Sequence, residues 1–116
     1  MKLYGIPNCN SVKKARSWLS GRNLAYDFHD FKKSDVSESM LRNWCKQVGW
    51  ETLVNRKGTT WRQLPDEMKN RVYDEDAAIE LMLEKSSVIK RPVLEKAGEI
   101  QVGFSEASYE TLFPNA

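Results

Sequence analysis

The chain has 116 residues, 41% of them hydrophobic and 29% charged, with a formal net charge of +2. That length predicts one domain, 1–116, and a charge this small argues against bulk binding to nucleic acid or to an anionic membrane. Met1-Lys2-Leu3-Tyr4-Gly5 lacks the apolar core of a signal peptide and no apolar run approaches a membrane span, so the expected location is cytoplasmic. Cys9 and Cys45 do not make a secreted disulfide framework. With one histidine and no Cys-x-x-Cys or His-x-x-x-His spacing, no metal site is expected.

Leu3-Tyr4-Gly5 reads as the end of a first strand. Val12, Ala15 and Leu19 then fall at i, i+3 and i+7, the spacing of a helix that begins near Asn10, with Asn10 or Ser11 as its cap and Gly21 as its stop. Cys9 therefore sits on a strand-to-helix turn, where unpaired amides and the helix dipole favour an anion. A thiolate is an anion, and a cysteine so placed has a lowered pKa. Lys13 and Lys14 add positive charge one turn on. The local residues equally allow a small buried hydrophobe at Cys9, although Pro-Asn before it and Asn-Ser after it favour a turn.

Residues 24–31 alternate aromatic and polar side chains with the period of a strand, which completes a βαβ unit. His29 lies in that strand and reads as structural. Ser37 caps a helix ending at Gly49, with Leu41, Trp44, Cys45 and Val48 on one face, so Cys45 reads as a core thiol. Residues 51–58 suggest a short helix running into a basic loop. Thr60 and Gln63 have the spacing of a capping box, and Pro65 breaks the short helix they start. Asp74-Glu75-Asp76 starts another helix with Ile79, Met82 and Leu83 as its buried stripe. Residues 88–94 and 100–104 read as a β-hairpin turning at Gly98, with Pro92 at a strand start or an irregularity. Ser105 caps a last helix carrying Tyr109, Leu112 and Phe113, ended by Pro114. The order is βαβ, a helical segment over about 35–86, then ββα. That predicts an α/β thioredoxin-like fold with a mixed sheet and an inserted helical segment.

Three separated motifs carry a resemblance over nearly the whole chain. Tyr4-Gly5-Ile6-Pro7-Asn8-Cys9 with Lys13-Lys14-Ala15 resembles the active-site loop of the Spx/ArsC family. Val48-Gly49-Trp50-Glu51 with residues 55–62, and Ile89-Lys90-Arg91-Pro92-Val93, resemble its other markers. The combination is most similar to the YffB-like branch of glutathione-dependent thiol reductase candidates. The resemblance implies that Cys9 is the nucleophile, that Arg56 and Arg91 face it and hold an oxyanion or carboxylate, and that Pro92 is the cis-proline of the thioredoxin-like fold. Beside them, Asn8, Ser11 through its helix-terminal amide and Lys13 through its charge complete the expected binding set.

Two departures bear on chemistry. Phe104 stands where arsenate reductases of the family have a third arginine, which predicts weak arsenate reduction. Val12 stands where the dithiol regulators have a second cysteine, so any disulfide must form with an external thiol. The expected function is a monothiol, glutathione-linked thiol-disulfide reductase with glutathione as co-substrate, no bound cofactor, and glutaredoxin as a possible partner. An oxyanion reductase using the same cysteine, or a Spx-like regulator that binds a partner such as RNA polymerase, are the alternatives.

Overall fold

The computed structural model describes residues 1–115 and divides into two compact units, residues 1–33 with the chain from 91 onward and residues 34–90. The first unit holds β1 (Lys2–Gly5), α1 (Asn10–Gly21), β2 (Asp27–Asp30), β3 (Val93–Lys96), β4 (Glu99–Val102) and α7 (Glu106–Leu112). Its sheet has the order β2-β1-β3-β4. β1 pairs parallel with β2 and antiparallel with β3, and β3 pairs antiparallel with β4. The parallel pair is possible because α1 supplies the crossover, and the β3–β4 pair needs only a tight turn. Lys96 pairs with Glu99, which leaves Ala97 and Gly98 as a two-residue turn with φ of 51° and 84°. Two left-handed residues in a row match the right-handed twist of a hairpin.

Leu3 stands between Phe28 and Leu94 in the sheet register. On that row pack Ala15, Trp18 and Leu19 of α1 and Tyr109 of α7, all buried. Trp18 meets Tyr109 edge to face at 5.5 Å, a contact worth about 0.5–1.5 kcal/mol beyond its buried area. Where β1 runs out, α1 approaches closely. A Cβ placed on Gly5 would stand 2.6 Å from Val12 Cγ2, so only glycine lets the end of the strand lie against the first turn of the helix. His29 is half-buried, with its ring 5.0 Å from that of Tyr4, in keeping with a structural role.

The second unit holds α2 (Glu38–Val48), α3 (Trp50–Leu53), α4 (Thr59–Arg62), α5 (Asp66–Arg71), α6 (Glu75–Glu84) and a 3-10 turn at Ser86–Val88. The Ser37 hydroxyl accepts from the Met40 amide, the expected cap, and Asp74 accepts from Ala77 at the acid-rich start of α6. Leu41, Trp44 and Cys45 are buried on α2 and Val48 is half-buried. Val54 bridges to Ile89, and Lys90 N–H donates to Leu53 O at 2.7 Å, which ties the start of the basic loop to the end of the unit.

Several expectations need correction. Gly21 is the last helical residue of α1, and the left-handed position beyond it belongs to Asn23 at φ 57°. Asparagine tolerates that conformation because its side chain hydrogen-bonds locally. β2 is limited to the four residues that pair with β1, so 24–26 are not strand. α4 starts one residue before Thr60, with Gly58 at the cap position, and Thr60 cannot cap from inside the helix. Pro65 ends one turn and begins another, α5, since proline is tolerated at a helix start. On α6 the buried side chains are Ala78, Ile79, Leu81 and Met82, and Leu83 is 43% exposed. At 100° per residue those four span one arc about Met82, and Leu83 falls past its edge. Val88 and Ile89 are not hairpin residues, and the strand begins only after Pro92.

Candidate active site at Cys9

Ile6 is buried at the end of β1, and Pro7 and Asn8 are exposed in the turn beyond it. Cys9 N–H donates to Ile6 O at 3.2 Å and closes that turn, and Lys13 N–H donates to Cys9 O at 2.9 Å and opens the helix. The backbone of Cys9 is extended, with φ −87° and ψ 127°, so Cys9 itself holds the N-cap position of α1. Asn10 and Ser11 are already helical, which is why neither can cap as expected. The Cys9 side chain makes no close capping bond of the kind a serine oxygen makes, yet the Val12 and Ser11 amides are directed at its sulfur.

The Cys9 thiol is half-buried. Burial alone pushes its pKa up. The Val12 amide, the Arg91 guanidinium that donates to the sulfur, the Ser11 amide and the charge of Arg91 together more than reverse that, and the net shift is downward from the usual thiol value. The structure thus brings Arg91 to Cys9. The Arg91–Pro92 peptide is cis, Pro92 is buried, and its carbonyl accepts from Gly103 N–H at 2.8 Å. Asn8 lies exposed beside the thiol in sequence, and Ser11 and Lys13 are exposed on α1, where both line a groove running along the helix.

Arg56 belongs to the second unit. It is exposed, its Cζ is 5.1 Å from the centroid of the Trp50 ring, and it lines a basic hollow of about 350 Å³ with Lys57 and Lys90. Phe104 is half-buried with its ring 4.7 Å from that of Tyr109, edge to face, so its side chain serves packing. Cys45 contrasts with Cys9. It is 5% exposed, and burial followed by the nearby charge of Glu75 pushes its pKa up to about 11, against a smaller opposing effect of Arg42. Sequence reasoning overlooked the groove along α1. The signal was present in Trp18 and Arg22, an aromatic and a cation at i and i+4.

A first strand that feeds a helix through a cysteine, with a cis X-Pro bond opening the third strand of a mixed sheet, is the plan of the thioredoxin-like class of α/β proteins. Within that class the chain belongs to the ArsC family, whose model matches residues 4–112. A solved structure described as the YffB (PA3664) protein is 49% identical, covers 95% of this chain and 96% of its own, and superposes with a TM-score of 0.90. An arsenate reductase (ArsC) related protein from Brucella melitensis is 47% identical over 97% of this chain and 92% of its own, with a TM-score of 0.76. The global transcriptional regulator Spx 1 of Lactococcus lactis is 24% identical over 97% of this chain and 88% of its length. Among the described residues no helix is long and apolar enough to cross a membrane.

Proposed function

We propose that the protein is a cytoplasmic, monothiol, glutathione-linked thiol-disulfide reductase. The observation that carries this reading is the setting of Cys9, an accessible sulfur held toward its charged form by two helix amides and one guanidinium. A low-pKa thiol that solvent can reach is what thiol–disulfide exchange requires. In the first step the Cys9 thiolate attacks the glutathionyl sulfur of a mixed disulfide R–S–S–G. The S–S bond breaks, Cys9–S–S–G forms, and R–S⁻ leaves with the electron pair and takes up a proton. In the second step a glutathione thiolate attacks Cys9–S–S–G, which releases glutathione disulfide and restores the Cys9 thiolate. The substrate is reduced by two electrons and two glutathionyl groups are joined. Arg91 stabilises the thiolate in both its attacking and its leaving role, and its planar fork suits a glutathione carboxylate. Asn8, Ser11, Lys13 and the Arg91–Pro92 backbone would line the co-substrate.

An oxyanion reductase would use the same sulfur, but Phe104 adds packing and no cation. We therefore expect arsenate turnover, with glutathione and glutaredoxin supplied, to stay below the ordinary enzyme range of about 1–1000 per second. A Spx-like regulator, which would bind a large partner such as RNA polymerase, has no need of a reactive Cys9. The test is the alkylation rate of Cys9 against pH, with intact mass after exposure to glutathione disulfide. The reductase reading expects an alkylation midpoint below the free-thiol value of about 8.5, raised again in Arg91→Ala. It also expects an adduct of about 305 Da on Cys9 from exchange. A midpoint at or above the free value with no adduct would leave Cys9 structural and favour the regulator.

A further inference from the structure

The groove along α1 lies on the first unit, between the exposed side of the helix and the segment 104–106, and offers about 750 Å³ open to solvent. Its walls carry Lys13, Lys14 and Arg22 against a single acid, Glu106. That net +2 equals the formal net charge of the whole chain, so the other charged side chains cancel. No ion pair engages Lys13, Lys14 or Arg22 among the described residues. Its aromatic floor is Trp18 with Phe104, and Arg22 lies on the Trp18 ring with its Cζ 3.9 Å from the centroid. The Trp18 indole N–H is buried and has no acceptor among the described residues.

We propose that this groove docks an acidic polypeptide segment flanking the reactive cysteine of the substrate, so that the R of the mixed disulfide is an acidic protein. The identification as substrate rests on the reductase reading above, and the docking itself does not. Length separates a polypeptide from a small co-substrate. From Ser11 to Arg22 the helix advances about 16 Å at its usual rise. An extended chain covers that in about five residues, more than the three of glutathione. A carboxylate near the groove's far end competes with the Trp18 ring for Arg22, so docking changes the surroundings of the indole. Lysines and an arginine without ion pairs along an open groove raise the local concentration of an acidic partner and reject a basic one. In the exchange step the docked protein's thiolate is the leaving group, and the glutathionyl group stays on Cys9.

Binding is measured on the full chain by fluorescence anisotropy with a labelled ten-residue peptide, rich in Asp and Glu, carrying serine in place of its cysteine. A lysine-rich peptide of the same length is the comparison. At low salt the acidic peptide should bind about tenfold or more tightly than the basic one, and the ratio should shrink as salt shortens the Debye length below about 8 Å. Lys14→Glu with Arg22→Glu should abolish the preference. Should that pair fail to fold, the Trp18 indole resonance of the unaltered protein decides, since it should move with the acidic peptide and not with the basic one. Equal affinity for the two peptides, a preference that survives charge reversal, or a stationary Trp18 resonance overturns the proposal. A glutathionylated cysteine version of the acidic peptide separates the two readings. Binding without turnover overturns the reductase reading and the substrate role with it, and turnover without acid preference overturns the groove.

Discussion

Gly5→Ala tests the junction that sets the thiol in place. The added methyl would stand 2.6 Å from Val12 Cγ2 and 3.4 Å from Cγ1. Ordinary carbon–carbon contact is about 3.5–4.0 Å, so strand and helix must part by about 1 Å. Val12 is fully buried and cannot swing into solvent. Overpacking of this kind costs about 1–3 kcal/mol. For a chain of this length 2 kcal/mol lowers Tm by about 6–12 °C. The turn between strand and helix is closed by Cys9 N–H on Ile6 O, so the same movement disturbs the setting of the sulfur and the alkylation midpoint should rise while Tm falls. Val12→Ala supplies the control. It costs about 2 kcal/mol alone through lost methyls, yet it removes both close contacts and leaves the Val12 Cβ at an ordinary 3.6 Å from the new methyl. The double variant should therefore be more stable than the sum of the single effects by about 1–2 kcal/mol, the range of coupled neighbours. Thermal and urea unfolding of the four proteins measures this. A Gly5→Ala protein as stable as its parent, or strictly additive variants, would refute the steric account of Gly5.

Two other outcomes rest on packing and charge. Cys45 is buried with its pKa pushed up to about 11, while its unfolded form ionises near 8.5. A raised acid pKa means that the unfolded chain sheds its proton first, so this residue removes stability as pH climbs from about 8.5 toward 11. Cys45→Ala should flatten that alkaline loss in denaturant titrations, cost about 1 kcal/mol at neutral pH, and leave Cys9 alkylation unchanged. The Ser105 hydroxyl accepts from the Ser108 amide at the start of α7, and Ser105→Ala should cost about 1 kcal/mol, read as a lower midpoint in urea.

The order of elements was legible in the sequence because periodicity and caps are local properties. Ser37, Asp74 and Ser105 each announced a helix through an oxygen placed before an apolar stripe. Cys9 at a helix start was legible for the same reason. Packing set the features that could not be read locally. Gly58 took the cap position expected of Thr60, and Leu83 fell outside an arc centred on Met82. α5 was hidden because Asp66–Arg71 buries none of its side chains, so it has no apolar stripe to read. The arginines were less legible still. Nothing local distinguishes Arg91, which donates to the Cys9 sulfur, from Arg62, which is exposed on α4. Only the family motif marked the first.

Val12 fills the place that a second redox cysteine would take, and it is sealed against the end of β1. Cys45, the other thiol, is buried and held neutral. On the reductase reading, an adduct on Cys9 then has no internal exit. Its lifetime is set by whatever free thiol arrives from outside, so the fraction of molecules carrying an adduct tracks the ratio of thiol to disulfide around the protein. A chain built this way behaves as a gauge of its surroundings as much as a catalyst, and its dwell time on a partner lengthens as the supply of reductant fails.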